Sequence, residues 1–163
     1  GSRRDNHSLA THADAPGRVY SAAGDGYAES TDYGASWDHP QSGLDHRYVW
    51  SVAVAPGDPD TVLVSAASGT GDAHGHGGAA SAESYMYRRR GDANWTRVGD
   101  GLPTGDGVLR AVLAPGATGG EVYALNNHGL YRSADAGDSW DRVDLRWPAR
   151  YEDQSARGLV ATD

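Results

Sequence analysis

Short stretches in which apolar and polar residues alternate recur along the whole chain, and a turn-forming sequence follows each of them. Alternation with a period of two places every second side chain on one face of a β-strand. No stretch shows the helical period of apolar residues, and 23 glycines supply turns. The predicted strands are 8–13, 18–23, 27–30 and 36–39, then 49–55, 61–67, 84–88 and 94–98, and finally 109–114, 121–125, 129–133 and 139–143. The sequence therefore predicts an all-β protein.

One octapeptide with the pattern S-x-D-x-G-x-S-W occurs twice. Its key positions are Ser30, Asp32, Gly34 and Trp37 in the first copy, and Ser133, Asp135, Gly137 and Trp140 in the second. An Asp carboxylate at this spacing accepts hydrogen bonds from backbone N–H groups just ahead of it, and the glycine permits a positive φ angle. Each copy is therefore predicted to form the tip of a hairpin, after which the Trp anchors the next strand.

A third copy, at 87–95, keeps the leading Tyr-Arg, the Gly-Asp pair and Trp95, but it has lost the Ser and the central Asp. Trp95 and Trp140 are 45 residues apart. Trp37 and Trp95 are 58 apart, and the middle unit carries an insertion of about 15 residues, so the period is about 43 to 45, as in a four-stranded propeller blade.

The octapeptide resembles the Asp-box, or BNR repeat, of sialidase-like and glycosyl hydrolase-like β-propellers, among them xyloglucanases, sortilin-type receptors and a photosystem assembly factor. The resemblance implies a β-propeller fragment of three four-stranded blades plus one extra innermost C-terminal strand. The blades would span about 8–43, 48–101 and 108–145, and the last strand 156–162, within a single partial propeller of residues 1–163.

The resemblance further implies the C-terminal half of a six- or seven-bladed member. The boxes of this family lie on the face away from the active site, which implies structural roles for Asp32 and Asp135. Three blades are too few for a closed ring, and an open arc leaves flat edges exposed. We therefore expect self-association, as a dimer that closes a propeller, or association with missing blades of a longer chain.

Composition narrows the possible partners. The chain has 22 acidic residues and 14 basic ones, all of them Arg, for a net charge of −8. An acidic surface without Lys argues against nucleic acid and anionic membranes as partners. There are no cysteines and no apolar run of the roughly 20 residues that a membrane helix needs. With no signal peptide visible, the sequence predicts a cytoplasmic protein without a cofactor.

Side chains suited to a ligand fall in segments that should share the tunnel face of a propeller. The candidate rim residues are His46, Arg47, Trp50, Arg110, Asn127, His128, Trp147, Arg150 and Tyr151. Aromatic faces stack on sugar rings and Arg binds carboxylates, so a carbohydrate ligand is possible. A solvated rim without a function is an equally open interpretation of any single residue. The resemblance to sialidases also suggests Arg47, Arg110 and Arg157 as substrate-carboxylate ligands.

Metal and catalytic groups are weaker candidates. Asp72, His74 and His76 could ligate a metal such as Zn²⁺, but the glycines around them favour a flexible loop, and no metal is expected. A glycosidase with two carboxylates could use Asp45, Glu152 or Asp153.

Two functions remain open. The first is a non-catalytic Asp-box β-propeller module for ligand or protein binding and scaffolding. The alternative is a glycoside hydrolase-like enzyme fragment, of sialidase or glucanase type, that acts on carbohydrate.

Overall fold

The computed structural model describes residues 4–162, which form an all-β protein of three antiparallel sheets. The first sheet contains β1 (Asn6–Thr11), β2 (Val19–Ala23) and β3 (Gly26–Ser30). The second contains β4 (Tyr48–Val54), β5 (Thr61–Ala67), β6 (Glu83–Arg90) and β7 (Thr96–Val98), and the short β8 (Gly105–Asp106) pairs with the start of β6. The third contains β9 (Val112–Pro115), β10 (Val122–Asn126), β11 (Gly129–Ser133) and β12 (Asp141–Arg142).

Helical structure in the described residues is limited to three short pieces. They are α1 (Thr70–His74) and two 3₁₀ turns at Ala79–Ser81 and Ala149–Tyr151. None of these is long or apolar enough to span a membrane. The helix α1 lies in the 68–83 insertion, which the sequence predicts as a plain loop.

The innermost strands of the three sheets lie side by side, with β1 against β4 and β4 against β9. Two hydrophobic clusters fill the spaces between the sheets. Tyr20, Tyr27, Val64 and Trp95 belong to the first cluster, and Leu63, Met86, Tyr131 and Trp140 belong to the second. A row of sheets packed face to face around adjacent inner strands is the arrangement of propeller blades.

Two predicted strands are absent as strands, and several others begin or end up to three residues from the predicted bounds. Segment 36–39 forms only an isolated bridge between Glu29 and Asp38. Pro40 follows closely, and proline cannot donate to a ladder, so the pairing stops there. The predicted innermost strand at 156–162 is also absent as a strand, because no other described segment forms a ladder with it.

The two octapeptide turns have the same hydrogen bonds. In the first turn Ser30 Oγ donates to Asp32 Oδ1 (2.8 Å), and Asp32 accepts from Ser36 N (2.8 Å) and Ser36 Oγ (2.6 Å). The second turn repeats these bonds with Ser133, Asp135 and Ser139, at 2.7, 2.9 and 2.6 Å.

The turn also sets the ionisation of its carboxylate. Burial opposes the charge of Asp135, but the hydrogen bonds from Ser139 and Ser133 outweigh it and lower the pKa of Asp135 to about 2. A depressed pKa contributes stability that is present above the ordinary value near 3.8 and is lost as the pH falls towards 2. The carboxylate is therefore part of the turn itself.

A second repeat clamps neighbouring sheets together. Between the first and second sheets, Trp95 N donates to Ser42 O (2.9 Å), and between the second and third, Trp140 N donates to Asp100 O (2.8 Å). The next residue in each linker is a glycine with positive φ, Gly43 or Gly101. A Cβ at Gly43 would lie 2.3 Å from Trp95 O, and one at Gly101 would lie 2.1 Å from Trp140 O. Only glycine allows this approach.

We predict that Gly101→Ala destabilises the protein far more than Gly107→Ala. Both glycines have a similar positive φ, 81° and 78°, but no heavy atom lies within 4 Å of a Cβ at Gly107. The strain of φ alone should cost about 1 kcal/mol in each, and the clash with Trp140 O should raise the total for Gly101→Ala to about 3 kcal/mol or more. Urea unfolding measures both; equal losses would show that the clamp does not require glycine.

We also predict that Ser133→Ala lowers the free energy of unfolding by about 1–3 kcal/mol, the usual cost of an unpaired buried polar group. The Ser133 hydroxyl is buried and accepts from Gly137 N at 2.8 Å, so its removal leaves that N–H without a partner. Ser42→Ala, at an exposed position, is the control for loss of a hydroxyl. Thermal unfolding of both variants distinguishes them, and a loss no greater than that of Ser42→Ala would contradict the role of this hydroxyl.

Candidate functional site

The candidate rim residues separate into distinct groups. Trp50 and Arg110 lie together in one cleft, whereas Arg47 lines a different cavity of about 530 Å³ with Asp45 and His39. The three arginines suggested by the resemblance to sialidases are therefore not brought together, since only Arg110 and Arg157 share a cleft.

We call this site the Trp50 cleft. It measures about 540 Å³, and its lining residues come from the second sheet, the 68–83 insertion, the segment before β9 and the C-terminal segment. They are Trp50, His74, Arg110, Gln154, Ser155 and Arg157.

A column of stacked side chains forms one wall of the cleft. The register of β1 shifts between Asn6 and Ser8, and that of β4 shifts between Val49 and Ser51. These bulges leave His7 and Trp50 as the extra residues, and a bulge redirects the side chain that it carries. Their ring centroids lie 4.7 Å apart.

Arg110 and His74 complete this wall. The Arg110 guanidinium carbon lies 3.6 Å from the Trp50 ring centroid, and His74 meets the same ring edge to face at 4.8 Å. Because Trp50 is contacted by Arg110, His7 and His74, little of its ring is left for stacking on a sugar.

The hydrogen bonds of His74 define its tautomer. Arg110 Nε can only donate, and it lies 3.1 Å from His74 Nδ1, so Nδ1 must carry no proton. The proton is then on Nε2, which lies 3.3 Å from the Tyr48 hydroxyl. Burial, followed by the nearby Arg110, His76 and His7, lowers the pKa of His74. His74 is therefore neutral near pH 7.

The loop residues Asn127 and Trp147 have structural partners. Asn127 Oδ1 accepts from Leu109 N (2.9 Å), and its amide donates to Gly107 O (3.0 Å) and Glu152 O (2.9 Å). Trp147 Nε1 donates to Asn127 O at 2.7 Å. These bonds attach the C-terminal segment to the third sheet.

The other rim candidates lie beside these groups. His128 Nε2 is 3.1 Å from Gly107 O, and Arg150 packs on the Tyr151 ring at 4.9 Å. His46 lies apart, stacked on Tyr85 at 4.1 Å. A ligand-binding role for any of these residues remains a prediction.

The histidines suggested as metal ligands do not form a metal site in the described residues. Among residues 4–162, no group of three or more His, Cys, Asp or Glu side chains could hold a metal ion. His74 instead directs both ring nitrogens at protein groups, Arg110 and Tyr48.

Sequence reasoning missed His7 and mistook the partners of His74. A detectable pattern does exist, because His7-Ser8 and Trp50-Ser51 open equivalent inner strands. Ser8 Oγ accepts from Val52 N at 3.4 Å, and Ser51 Oγ accepts from Leu113 N at 3.0 Å, so each serine links its sheet to the next. Aligning these two pairs predicts that His7 and Trp50 lie at the same height on adjacent inner strands.

Comparison with solved structures identifies the fold. An ancestral GH74 enzyme is 17% identical to this chain with a TM-score of 0.65, and the match covers 89% of this chain and 19% of the enzyme. The GH74 xyloglucanase from Xanthomonas campestris is 20% identical with a TM-score of 0.63, and the match covers 91% of this chain and 22% of the xyloglucanase. YCF48 from Cyanidioschyzon merolae is 15% identical with a TM-score of 0.53, and the match covers 85% of this chain and 36% of YCF48.

The chain therefore spans about a fifth of each GH74 enzyme and about a third of YCF48. No protein-family model and no curated protein sequence matches it. At these identities the likeness shows the fold alone, and the chain is a β-propeller fragment.

We predict that Asn127→Asp destabilises the protein by about 2–4 kcal/mol, because a carboxylate would face two carbonyl oxygens where the amide now donates. Asn94→Asp, at an exposed position, adds the same charge without those contacts. Urea unfolding compares the two. Equal stabilities would mean that the Asn127 amide does not hold the C-terminal segment.

Proposed function

We propose that this chain is a non-catalytic β-propeller module of the Asp-box type, which binds a ligand at the Trp50 cleft and acts as a scaffold. The matching hydrogen bonds of the two octapeptide turns support the Asp-box assignment. They engage the Asp32 and Asp135 carboxylates fully within the turns, which is consistent with structural roles.

The lining of the cleft is the observation that carries the non-catalytic proposal. A glycosidase of the usual kind places two carboxyl groups on either side of the scissile bond, about 5 to 10 Å apart. Among the described lining residues there is no Asp or Glu. Asp45 lines the other cavity, and Glu152 and Asp153 are exposed outside the cleft lining.

The two ends of the stack support association with further sheets. The large hydrophobic side chains that stay exposed among residues 4–162 are Leu9 in β1, Tyr33 in the turn after β3, and Leu145 and Val160 in the segment after the third sheet. Exposed apolar side chains at both ends of a stack favour cover by another sheet. We propose that a second copy of this chain, or blades of a longer chain, provides that cover. A cytoplasmic location remains part of this proposal.

The alternative is a glycoside hydrolase-like enzyme whose catalytic groups lie on other blades. The GH74 enzymes among the structural neighbours favour this alternative, since they share the fold. Their own lengths far exceed this chain, so other blades could supply the missing carboxylates.

Hydrolysis of a sialoside and a β-glucan tests the two proposals, with this chain and with a version extended by further blades. We expect no hydrolysis by either protein. Hydrolysis by the extended protein alone would support the enzyme and overturn the non-catalytic assignment. Light scattering gives the mass in parallel, and a dimer of twice 17.1 kDa would support closure by a second copy.

A further inference from the structure

We propose that the side of the first sheet that faces away from the second sheet is a docking surface for a further sheet of the same repeat, carried ahead of β1 by a longer chain. The docking sheet is recognised through a linker in which a glycine and then a leucine follow the residue that bonds to Trp37. This inference rests on the proposed function, because it names the kind of partner that covers one end of the stack.

The first and third sheets present equivalent residues to the sheet that precedes them. Leu9 pairs with Ser21 in the first sheet as Leu113 pairs with Ala124 in the third. Both pairs lie two residues beyond the position that faces the first serine of the octapeptide. Leu9 and Leu113 are therefore equivalent, and the octapeptide makes its own residues equivalent in the same way.

These equivalent positions are buried in the third sheet and not in the first. Leu113 is 6% exposed and Trp140 is 4% exposed, and both belong to the hydrophobic cluster shared with the second sheet. Leu9 is 58% exposed, and Trp37 is only half-buried. The first sheet therefore has the residues of a junction between sheets, and no other sheet within residues 4–162 covers them on that side.

The octapeptide turns show the same contrast. Tyr33 and Ala136 have the same position, with φ angles of 59° and 55°, and the N–H of each donates to a glycine carbonyl of its own sheet. Ala136 is 9% exposed, and its carbonyl accepts from Arg88 of the second sheet at 3.0 Å. Tyr33 is 81% exposed. An exposed aromatic side chain in a junction position is a suitable anchor for a partner.

Trp37 is already held in the position that a partner needs. Its Nε1 donates to Gly34 O at 3.1 Å, and a Cβ at Gly34 would lie 3.5 Å from Trp37 Cζ2. The same distance from Gly137 to Trp140 is 3.6 Å, so both indoles lie over the glycine of their own turn. Because the ring is held in place before docking, little conformational freedom would be lost.

The backbone N–H of Trp37 differs from its two counterparts. Trp95 N and Trp140 N donate to the linker of the preceding sheet, whereas no acceptor within residues 4–162 bonds to Trp37 N. The two existing junctions show which acceptor fits this donor. It is the carbonyl of a linker residue that a glycine follows, because the glycine lets the linker approach the Trp carbonyl closely.

The linkers of the two existing junctions share one short pattern. Ser42-Gly43-Leu44 follows Trp37, and Asp100-Gly101-Leu102 follows Trp95 at the same spacing. The leucine is buried in both linkers, at 2% and 6% exposure, and it belongs to the cluster between the two sheets. The recognised unit is therefore a carbonyl, a glycine with positive φ and a leucine that fills the cluster.

A second copy of this chain does not present that unit. The residues at the same spacing after Trp140 are Leu145-Arg146-Trp147, and Arg146 has a Cβ and is not among the described non-glycine residues with positive φ. The C-terminal segment also lies against the third sheet, since Ala156 O accepts from Arg110 and Ala161 lies beside Tyr123. The position that β1 of another copy would take is thus already filled.

An extension of the full chain tests the proposal. A copy of residues 44–102, which contains the second sheet and its linker Asp100-Gly101-Leu102, is joined to Gly1. The number of residues from the copied glycine to β1 then lies between those of the two natural linkers. Amide hydrogen exchange followed by NMR reports whether the docked linker protects Trp37.

In the original chain, we expect the N–H groups of Trp95 and Trp140 to exchange slowly and that of Trp37 to exchange fast. In the extended protein, exchange at Trp37 should slow about tenfold or more, because its N–H gains an acceptor.

Two substitutions in the copied segment provide matched controls. Gly101→Ala in the copy should remove the protection of Trp37, because its Cβ would meet the Trp carbonyl as it would in the natural junction. Gly91→Ala in the copy should retain that protection. Gly91 also has a positive φ, but no heavy atom lies within 4 Å of a Cβ there.

Three results would overturn the docking surface. The first is exchange at Trp37 that is equally fast in the original and extended proteins, whether the copied strands fold or stay unfolded beside the intact chain. The second is an equal effect of the two glycine substitutions. The third is slow exchange at Trp37 in the original chain together with a dimer mass in light scattering, which would identify a second copy as the occupant.

These results are independent of the hydrolysis assay. Hydrolysis by an extended protein would refute the non-catalytic assignment and leave the docking surface intact. Failure of the copied sheet to dock would refute the kind of partner and leave the non-catalytic assignment in place.

Discussion

The stack depends on the close contact between each linker and the Trp that begins the outer strand of the next sheet. At each of these contacts the Trp N–H donates to a linker carbonyl, and the close approach is possible because Gly43 and Gly101 have no Cβ to hold the two segments apart. The same contact seats Trp95 and Trp140 in the two hydrophobic clusters. Burial of apolar side chains holds the faces of the sheets together but has no preferred direction. The local backbone geometry of the linker therefore determines how far apart the sheets lie.

The charges of the molecule are arranged around the same junctions. Arg88 and Arg90 of the second sheet reach Asp138 in the turn of the third, and Arg89 reaches Glu29 in the first. Carboxylates are thus paired with arginines along the sides of the stack, whereas the lining of the Trp50 cleft, within residues 4–162, contains Arg110 and Arg157 and no carboxylate. An acidic protein can in this way present a local cationic site.

Sequence reasoning reached the features that depend on local chemistry. The turn at Ser133–Trp140 needs only its own residues, so the repeat predicted it, and alternation predicted β5 and β11 within a residue. The glycine clamp was missed, because Gly101 looks like an ordinary turn residue until the approach of Trp140 is known. Segment 156–162 was assigned as a strand from its composition, although a strand also requires a partner.

The site was predictable only in part for the same reason. Trp50 and Arg110 were recognised as residue types suited to a ligand, but their mutual stacking is a contact between the second sheet and the segment before β9. His74 looked like a metal ligand from its spacing to His76, whereas its nitrogens face Arg110 and Tyr48, which are distant in sequence. A buried polar side chain is available to a ligand only if no other part of the protein has already bonded to it, and the sequence does not reveal those tertiary partners.

The 68–83 insertion carries His74 on α1, outside the paired residues of β5 and β6. The buried faces of β5 and β6 specify their pairing strongly, and a long surface segment between two strands tolerates changes of length at a small cost in free energy. The chemistry of the cleft can therefore diverge in evolution without altering the repeat that builds the scaffold. Grafting other segments between Ala67 and Glu83 would give a family of receptors on one framework.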